Sequence, residues 1–380
     1  MKLLIIGGTG AMGAPLTGIL SKNTSNLVYV LSRKGEGTRN SDNVRCIKGD
    51  AFDLAFMKDL IKRENFDVII DFMIYNPDTY NDFLELYLNS CKQYVFTSTA
   101  SVYNEPSEHI KITEETPLLW ENYSEERKGN NRVYHILKTN LDNIVLNQEK
   151  KNWTMVRPYI TFNIHKLPLA TWPKECWLYR ALNGKSVILP KDVMDIPTTV
   201  TYGYDVSVGI SELIGNDQAF GQIINIASNM SLTWNEVFKM YQTILKEKCG
   251  AEINVKWVDT SDEIWVECPH QYDFLACDRL LRKEFDTKKL DTLVGHTFVF
   301  SDSKDSLKKC LETFLDDTHR QIYPDPVLNG YMDRVTSDFT SLRNFKSRSA
   351  KLSYLVNRYI WVDRLYKFLR RIKRMVKTGH

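Results

Sequence analysis

Tyr134-His-Ile-Leu-Lys138 sets a phenol and an ammonium four residues apart, the spacing that puts two side chains on one face of a helix. A Thr97-Ser-Thr99 run upstream supplies hydroxyls. A free phenol has a pKa of about 10, too high for proton exchange near neutrality. Lowering it by roughly 3 units takes about 4 kcal/mol of preferential stabilisation of the phenolate. A neighbouring lysine ammonium and a second positive group are suited to supply it. Thr99 would then hydrogen-bond a substrate oxygen and orient it, and Tyr134 would pass a proton to or from that oxygen. Tyr-x-x-x-Lys is a cheap pattern in a chain with 19 tyrosines, so its weight rests on where it falls.

The elements that must position these groups begin at residue 2. Lys2-Leu-Leu-Ile-Ile-Gly7-Gly-Thr9-Gly10-Ala-Met12-Gly13 reads as an apolar strand running into a glycine turn and then a helix. Gly7 permits the turn, Gly10 lets backbone approach a pyrophosphate, and Gly13 lets the helix pack on the strand with its N–H groups facing the phosphates. Strands are predicted near 3–6, 28–31, 44–47, 67–71, 94–98, 154–157 and 223–226. Helices are predicted near 11–20, 54–63, 79–90 and 134–148, with Thr233-Trp-Asn-Glu236 as a capping box opening another. The alternation implies an α/β chain, a doubly wound parallel sheet of Rossmann type that binds ligand at the carboxyl ends of its strands. Thr99 ends the fifth strand and Tyr134 opens the helix before the sixth. Both fall where a dinucleotide held by residues 7–13 would bring its nicotinamide, so the chemistry becomes hydride transfer coupled to a proton at Tyr134. Lys138 would also bind the ribose hydroxyls.

The second strand ends in Ser32-Arg33-Lys34, where an enzyme using NAD tends to place an acid. Two cations there would pair with a 2′-phosphate, and Ser32 can add a hydrogen bond. NADP is the preferred cofactor on this reading, with NAD as the alternative if Arg33 stacks on adenine instead.

Together the motifs resemble those of the extended short-chain dehydrogenases/reductases, the NAD-dependent epimerase/dehydratase family, over residues 1 to about 230. They are the Gly7–Gly13 turn, Lys48-Gly-Asp50, Phe96-Thr-Ser-Thr-Ala-Ser-Val-Tyr103, Tyr134-x-x-x-Lys138, Val156-Arg-Pro158, Tyr204-Asp-Val206 and Asn225-Ile-Ala227. The resemblance implies Thr99, Tyr134 and Lys138 as the catalytic set. It implies Asp50 at the adenine, with Ala51 and Phe72 beside the cofactor. The nucleotide-sugar branch implies a nucleotide-activated sugar as substrate, in surface polysaccharide synthesis. Ala100 and Ser101 stand where the 4,6-dehydratases carry an Asp-Glu pair, so dehydration is discounted. The leading expectation is 4-ketoreduction, followed by 4-epimerisation, with a non-catalytic NADP-sensing or RNA- or protein-binding member as the rival. Ile160-Thr-Phe-Asn163 replaces the usual Tyr-Gly-Pro, which makes Asn163 a weak substrate candidate. Trp172, Trp177 and Tyr179 are weaker ones, aromatic residues being core more often than ligand contacts. His135 and His165 read as structural, and no metal site is expected.

The 380 residues suit one large α/β domain or two joined ones. The expected division is a dinucleotide-binding domain over 1–165 with returning segments near 197–230, a smaller substrate-binding portion over 166–340, and a tail from 341. Seven scattered cysteines without a Cys-x-x-Cys pair suit reduced thiols in a cytoplasmic protein. The first residues read as a structural strand and not a signal peptide. Net charge is +3, but from Arg343 onward twelve Lys or Arg face one acid, Asp363, so the tail carries +11 and the rest −8. Whole-chain charge is thus no argument for nucleic-acid binding. Leu355, Tyr359, Val362, Leu365, Tyr366, Leu369, Ile372 and Val376 form a helical stripe within that basic tail. It suits a helix docked on the body or a second subunit, or one lying on an anionic membrane surface. The expected assembly is a homodimer.

Overall fold

The computed structural model describes residues 1–35, 42–106, 110–128, 133–267 and 274–378, and from 371 onward the backbone alone. Cys268 and the side chains of Cys277, Ile372 and Val376 therefore lie outside the described residues. The chain divides into two compact units, residues 1–165, 197–232 and 281–307 in one and residues 166–196, 233–280 and 308–380 in the other.

The first unit is built on seven parallel strands: β1 (Lys2–Ile6), β2 (Leu27–Ser32), β3 (Val44–Lys48), β4 (Val68–Asp71), β5 (Gln93–Thr97), β6 (Trp153–Pro158) and β7 (Gln222–Ile226). Their order across the sheet is β7-β6-β5-β4-β1-β2-β3. The central strands are apolar on both faces because both are covered, whereas β3 at the edge exposes Arg45 and Lys48. Leu3, Ile5, Val28 and Val30 point to one side, against Leu16 of α1 (Gly13–Ser21) and Val206 and Ile210 of α5 (Gly203–Leu213). Leu4, Ile6, Tyr29 and Leu31 point to the other, which also holds residues of α2 (Leu54–Glu64), α3 (Pro77–Ser90) and α4 (Tyr134–Leu146). Local signals start these helices: Asp53 accepts from Phe56 N ahead of α2, and Asn76 caps α3 with Pro77 in its first turn. The strand order reverses between β1 and β4, the place where an open sheet of this kind leaves a crevice at its carboxyl edge.

α1 begins at Gly13 and not at Ala11, because Gly7–Met12 are used by the turn, in which Gly10 N donates to Gly7 O at 3.3 Å.

In the second unit Ser186–Pro190 pairs in parallel with Asn254–Val258. The expected capping box is present, opening α6 (Trp234–Cys249). Arg180 is fully buried and donates to Asp333 of α7 (Pro326–Thr336) at 2.6 Å and to Asp338 at 2.7 Å. The tail is two helices where the stripe predicts one, α8 (Arg348–Arg358) and α9 (Ile360–Thr378), with Tyr359 extended between them. Arg334 of α7 donates to the Asn357 carbonyl at 2.7 Å, satisfying a carbonyl of the last turn of α8.

Candidate active site

Gly7 turns the chain after β1 with φ +77°, a conformation that favours glycine. A Cβ at Gly13 would lie 2.5 Å from Gly8 Cα, so the start of α1 presses directly on the turn. Gly10 differs: a Cβ there would meet only Gly7 O, at an ordinary 3.7 Å. Nothing in the fold requires glycine at that position, whereas a phosphate approaching the backbone would. Thr9 is exposed and Met12 half-buried. Met12 stands at the N-cap without a side-chain hydrogen bond, and no acid occupies the first turn of α1. The positive end of the helix dipole is thus not neutralised from within the helix. α5 buttresses the turn, Ser207 Oγ donating to Met12 O at 2.7 Å. Gly203 lets this happen, since a Cβ there would lie 2.6 Å from Ala11 O. Sequence reading missed Gly203, which directly precedes the quoted Tyr204-Asp-Val206.

The other cofactor candidates line the same sheet edge. Ser32 Oγ, at the end of β2, accepts from Gly35 N at 3.1 Å, and Arg33 and Lys34 are exposed. Asp50 follows β3, exposed, accepting from Phe52 N at 3.1 Å, with Ala51 buried beside it. Phe72 follows β4 half-buried, its Cβ 3.4 Å from where a Cβ on Gly7 would stand.

Asp71, missed from sequence, ends β4 fully buried. It accepts from Met73 N at 2.8 Å, Tyr75 Oη at 2.8 Å and Tyr94 Oη at 3.1 Å. Tyr80 and Tyr87 extend the cluster through hydroxyl contacts of 2.9 Å to Tyr94 and 3.0 Å to Tyr75. Burial pushes the Asp71 carboxyl up to about 6, against the pull of these donors. The signal was an acid closing the apolar run Val68-Ile-Ile-Asp71, near tyrosines able to partner it.

Thr99 caps the turn Ala100–Val102 after β5, its Oγ1 accepting from Ser101 N at 3.2 Å and donating to Ser101 Oγ at 3.1 Å. Tyr134 is the first residue of α4 and half-buried. One turn on, Lys138 is buried and donates to Thr97 O at 2.8 Å, with its Nζ 5.5 Å from the Phe96 ring centroid. The structure therefore brings Lys138 to the strand end that carries Thr99 and sets Tyr134 one helical turn before it. Burial pushes the Lys138 ammonium down to about 8, while Asp142 and Asp71 pull it back up. Thr97 Oγ1, at the same strand end, is buried without a hydrogen-bond partner among the described residues.

Asp142 lies one further turn along α4 and forms a buried ion pair with Arg157 of β6, 2.8 Å from Nη2. The Arg157 guanidinium packs 4.9 Å from the Tyr103 ring centroid, and Tyr103 Oη donates to Asn225 Oδ1 at 2.9 Å. This network ties α4 to β6, β7 and the loop after β5, which fixes where Lys138 sits. It gives the quoted Arg157, Tyr103 and Asn225 a bracing role that the motifs alone did not reveal.

Asn163 is half-buried, its Oδ1 accepting from His165 N at 2.8 Å. Trp172 and Trp177 correct an expectation. Both are fully buried, their indole N–H groups donating to Ile188 O at 2.7 Å and Leu167 O at 2.8 Å. Trp177 stacks on Tyr241 at 4.7 Å. They are core of the second unit and offer no face to a sugar. Tyr179 is also buried and accepts from Asn344 at 2.7 Å. His135 is buried against Tyr123, ring nitrogen to hydroxyl 3.0 Å.

Comparisons agree with this architecture. Residues 1–122 match the family described as dihydrodipicolinate reductase, N-terminus. The chloroplast stem-loop binding protein of 41 kDa b of Arabidopsis thaliana is 26% identical over 251 residues, covering 63% of this chain and 61% of that protein, so the chain spans about three-fifths of its length. Among solved structures, dTDP-glucose 4,6-dehydratase of Bacillus anthracis, in complex with NAD, superposes with a TM-score of 0.62 at 18% identity, covering 84% of this chain and 97% of that one. UDP-glucuronic acid 4-epimerase of Bacillus cereus, in complex with UDP-glucuronic acid and NAD, gives 0.59 at 14% identity, covering 84% and 100%. The chain has the Rossmann-like α/β fold of these dehydratase and epimerase structures.

Proposed function

We propose that the chain is an NAD(P)-dependent enzyme acting on a nucleotide-activated sugar, and that its reaction is reduction of a 4-keto group. The observation that carries this reading is Lys138, buried and bonded to the end of β5 beside Thr99, with Tyr134 one turn before it. A packed helix aromatic and a solvated lysine would not need such a placement. The residues at the glycine turn suit a dinucleotide: Gly10 leaves room for a phosphate, and the N-terminus of α1 has no competing carboxylate. Gly7, Gly10 and the first turn of α1 would hold the pyrophosphate, Asp50 the adenine side, and Lys138 the ribose nearest the reaction. Arg33 and Lys34, exposed after β2, favour a 2′-phosphate and hence NADP.

A bound nicotinamide supplies or accepts the hydride. Thr99 orients the substrate oxygen, and Tyr134 gives it a proton during reduction or removes one in the reverse direction. The Lys138 charge favours the phenolate of Tyr134 and so brings its proton affinity toward neutrality. Ala100 and Ser101 offer no carboxylate to expel a hydroxyl, which weighs against dehydration. Epimerisation would use the same groups and differs in returning the hydride to the opposite face.

The test is a panel of nucleotide sugars and their 4-keto forms, each with NADPH and NADH, followed at the absorbance of reduced nicotinamide and by product analysis. Loss of reduced cofactor supports ketoreduction, and interconversion without net oxidation moves the reading to epimerisation. No change with any sugar contradicts both. An RNA-binding role is a second reading, favoured by the name of the Arabidopsis relative. It predicts stem-loop binding that survives loss of Tyr134.

A further inference from the structure

The last helix carries an apolar stripe that the described residues leave uncovered. In α9, Trp361, Leu365, Phe368 and Leu369 recur at helical spacing and are 66, 49, 59 and 54% exposed. Ile372 and Val376 continue the stripe by register. Seven Lys or Arg between Arg364 and Lys377 take up the remaining circumference by register, against one acid, Asp363, which Lys367 meets at 2.7 Å. The preceding helix is anchored: Tyr354 of α8 is buried and its hydroxyl donates to Asp333 of α7 at 2.8 Å. α9 thus leaves a fixed base after the single extended residue Tyr359.

We propose that α9 lies on an anionic lipid bilayer, its Trp361-Leu365-Phe368-Leu369 face at the boundary of headgroups and acyl chains and its cations among the lipid phosphates. No described helix is long and apolar enough to cross a membrane, so the geometry is that of a helix parallel to the surface. The charge pattern selects the lipid. A nucleic acid would satisfy the cations but leave four large apolar side chains in water. A second copy of the same helix would satisfy the stripe but bring two strongly basic flanks together. An anionic bilayer satisfies both faces at once.

The test uses the full-length protein and co-sedimentation with vesicles of phosphatidylcholine containing 30% phosphatidylglycerol, or of phosphatidylcholine alone, at 0.1 and 0.5 M salt. The protein is expected to sediment with the anionic vesicles at low salt, and less at high salt. It should stay in solution with the neutral ones. Arg364→Gln and Arg370→Gln should each lower partitioning about fivefold. Leu365→Ser with Phe368→Ser should lower it at least tenfold with an unchanged thermal midpoint, both side chains being exposed. Failure to sediment with anionic vesicles at 0.1 M salt overturns the proposal, as does unaltered sedimentation of the double serine variant. An oligomer that this variant dissociates, with no vesicle binding by the parent, would assign the stripe to self-association. Each outcome is read without any enzymatic assay.

Discussion

At the scale of single residues, Asp71 and Lys138 show how the fold sets protonation behind the site. The Asp71 carboxyl holds its proton up to about 6 in the folded chain, from an ordinary value of 3.8. Its ionisation therefore opposes folding: stability falls as pH rises through roughly 4 to 6, by about 3 kcal/mol at most, and stays lower above that. Asp71→Asn should remove this slope, so that urea denaturation of the variant and the parent diverges between pH 4 and 7 in the variant's favour. A constant difference across that range would contradict the buried-carboxylate account. Arg33 makes a separate prediction. If it pairs with a 2′-phosphate, Arg33→Asp should weaken NADPH binding roughly 10- to 100-fold and leave NADH binding equal or better, measured by quenching of protein fluorescence. An equal loss for both cofactors would place Arg33 on adenine.

At the scale of elements, the glycine turn separates binding from folding. Gly10→Ala adds a methyl that the fold tolerates, so it should cost less than about 1 kcal/mol of stability while weakening dinucleotide binding at least tenfold. Gly13→Ala forces α1 away from Gly8 and should cost about 1–3 kcal/mol in urea denaturation. The seven strands, their order of appearance and four of the five helices that cover them were legible, most of the strands because burial on both faces leaves unbroken apolar runs. The placement of Thr99 and Lys138 at one strand end was legible because their motifs follow the fifth strand and open the helix before the sixth. Asp71 and the Asp142–Arg157 pair were not, since a buried charge is recognised by the partner that folding brings to it. Trp172 and Trp177 misled for the complementary reason: an aromatic side chain in sequence looks the same whether it packs in a core or faces a ligand. The break at Tyr359 was hidden because the apolar spacing runs through it from Leu355 to Val362 without interruption.

At the scale of the whole molecule, an acidic body and a basic tail carry two separate proposals, hydride transfer and a helix on a lipid surface, and the two are tested independently. For the catalytic part, the claim is that Tyr134 transfers the proton while Lys138 and the glycine turn hold the cofactor. The most direct measurement compares the parent and Tyr134→Phe on the nucleotide sugar that the parent turns over, with the dissociation constant of NADPH determined for both. The account predicts that kcat falls about 10²- to 10⁴-fold with cofactor affinity within twofold of the parent. Retained turnover in Tyr134→Phe would contradict it.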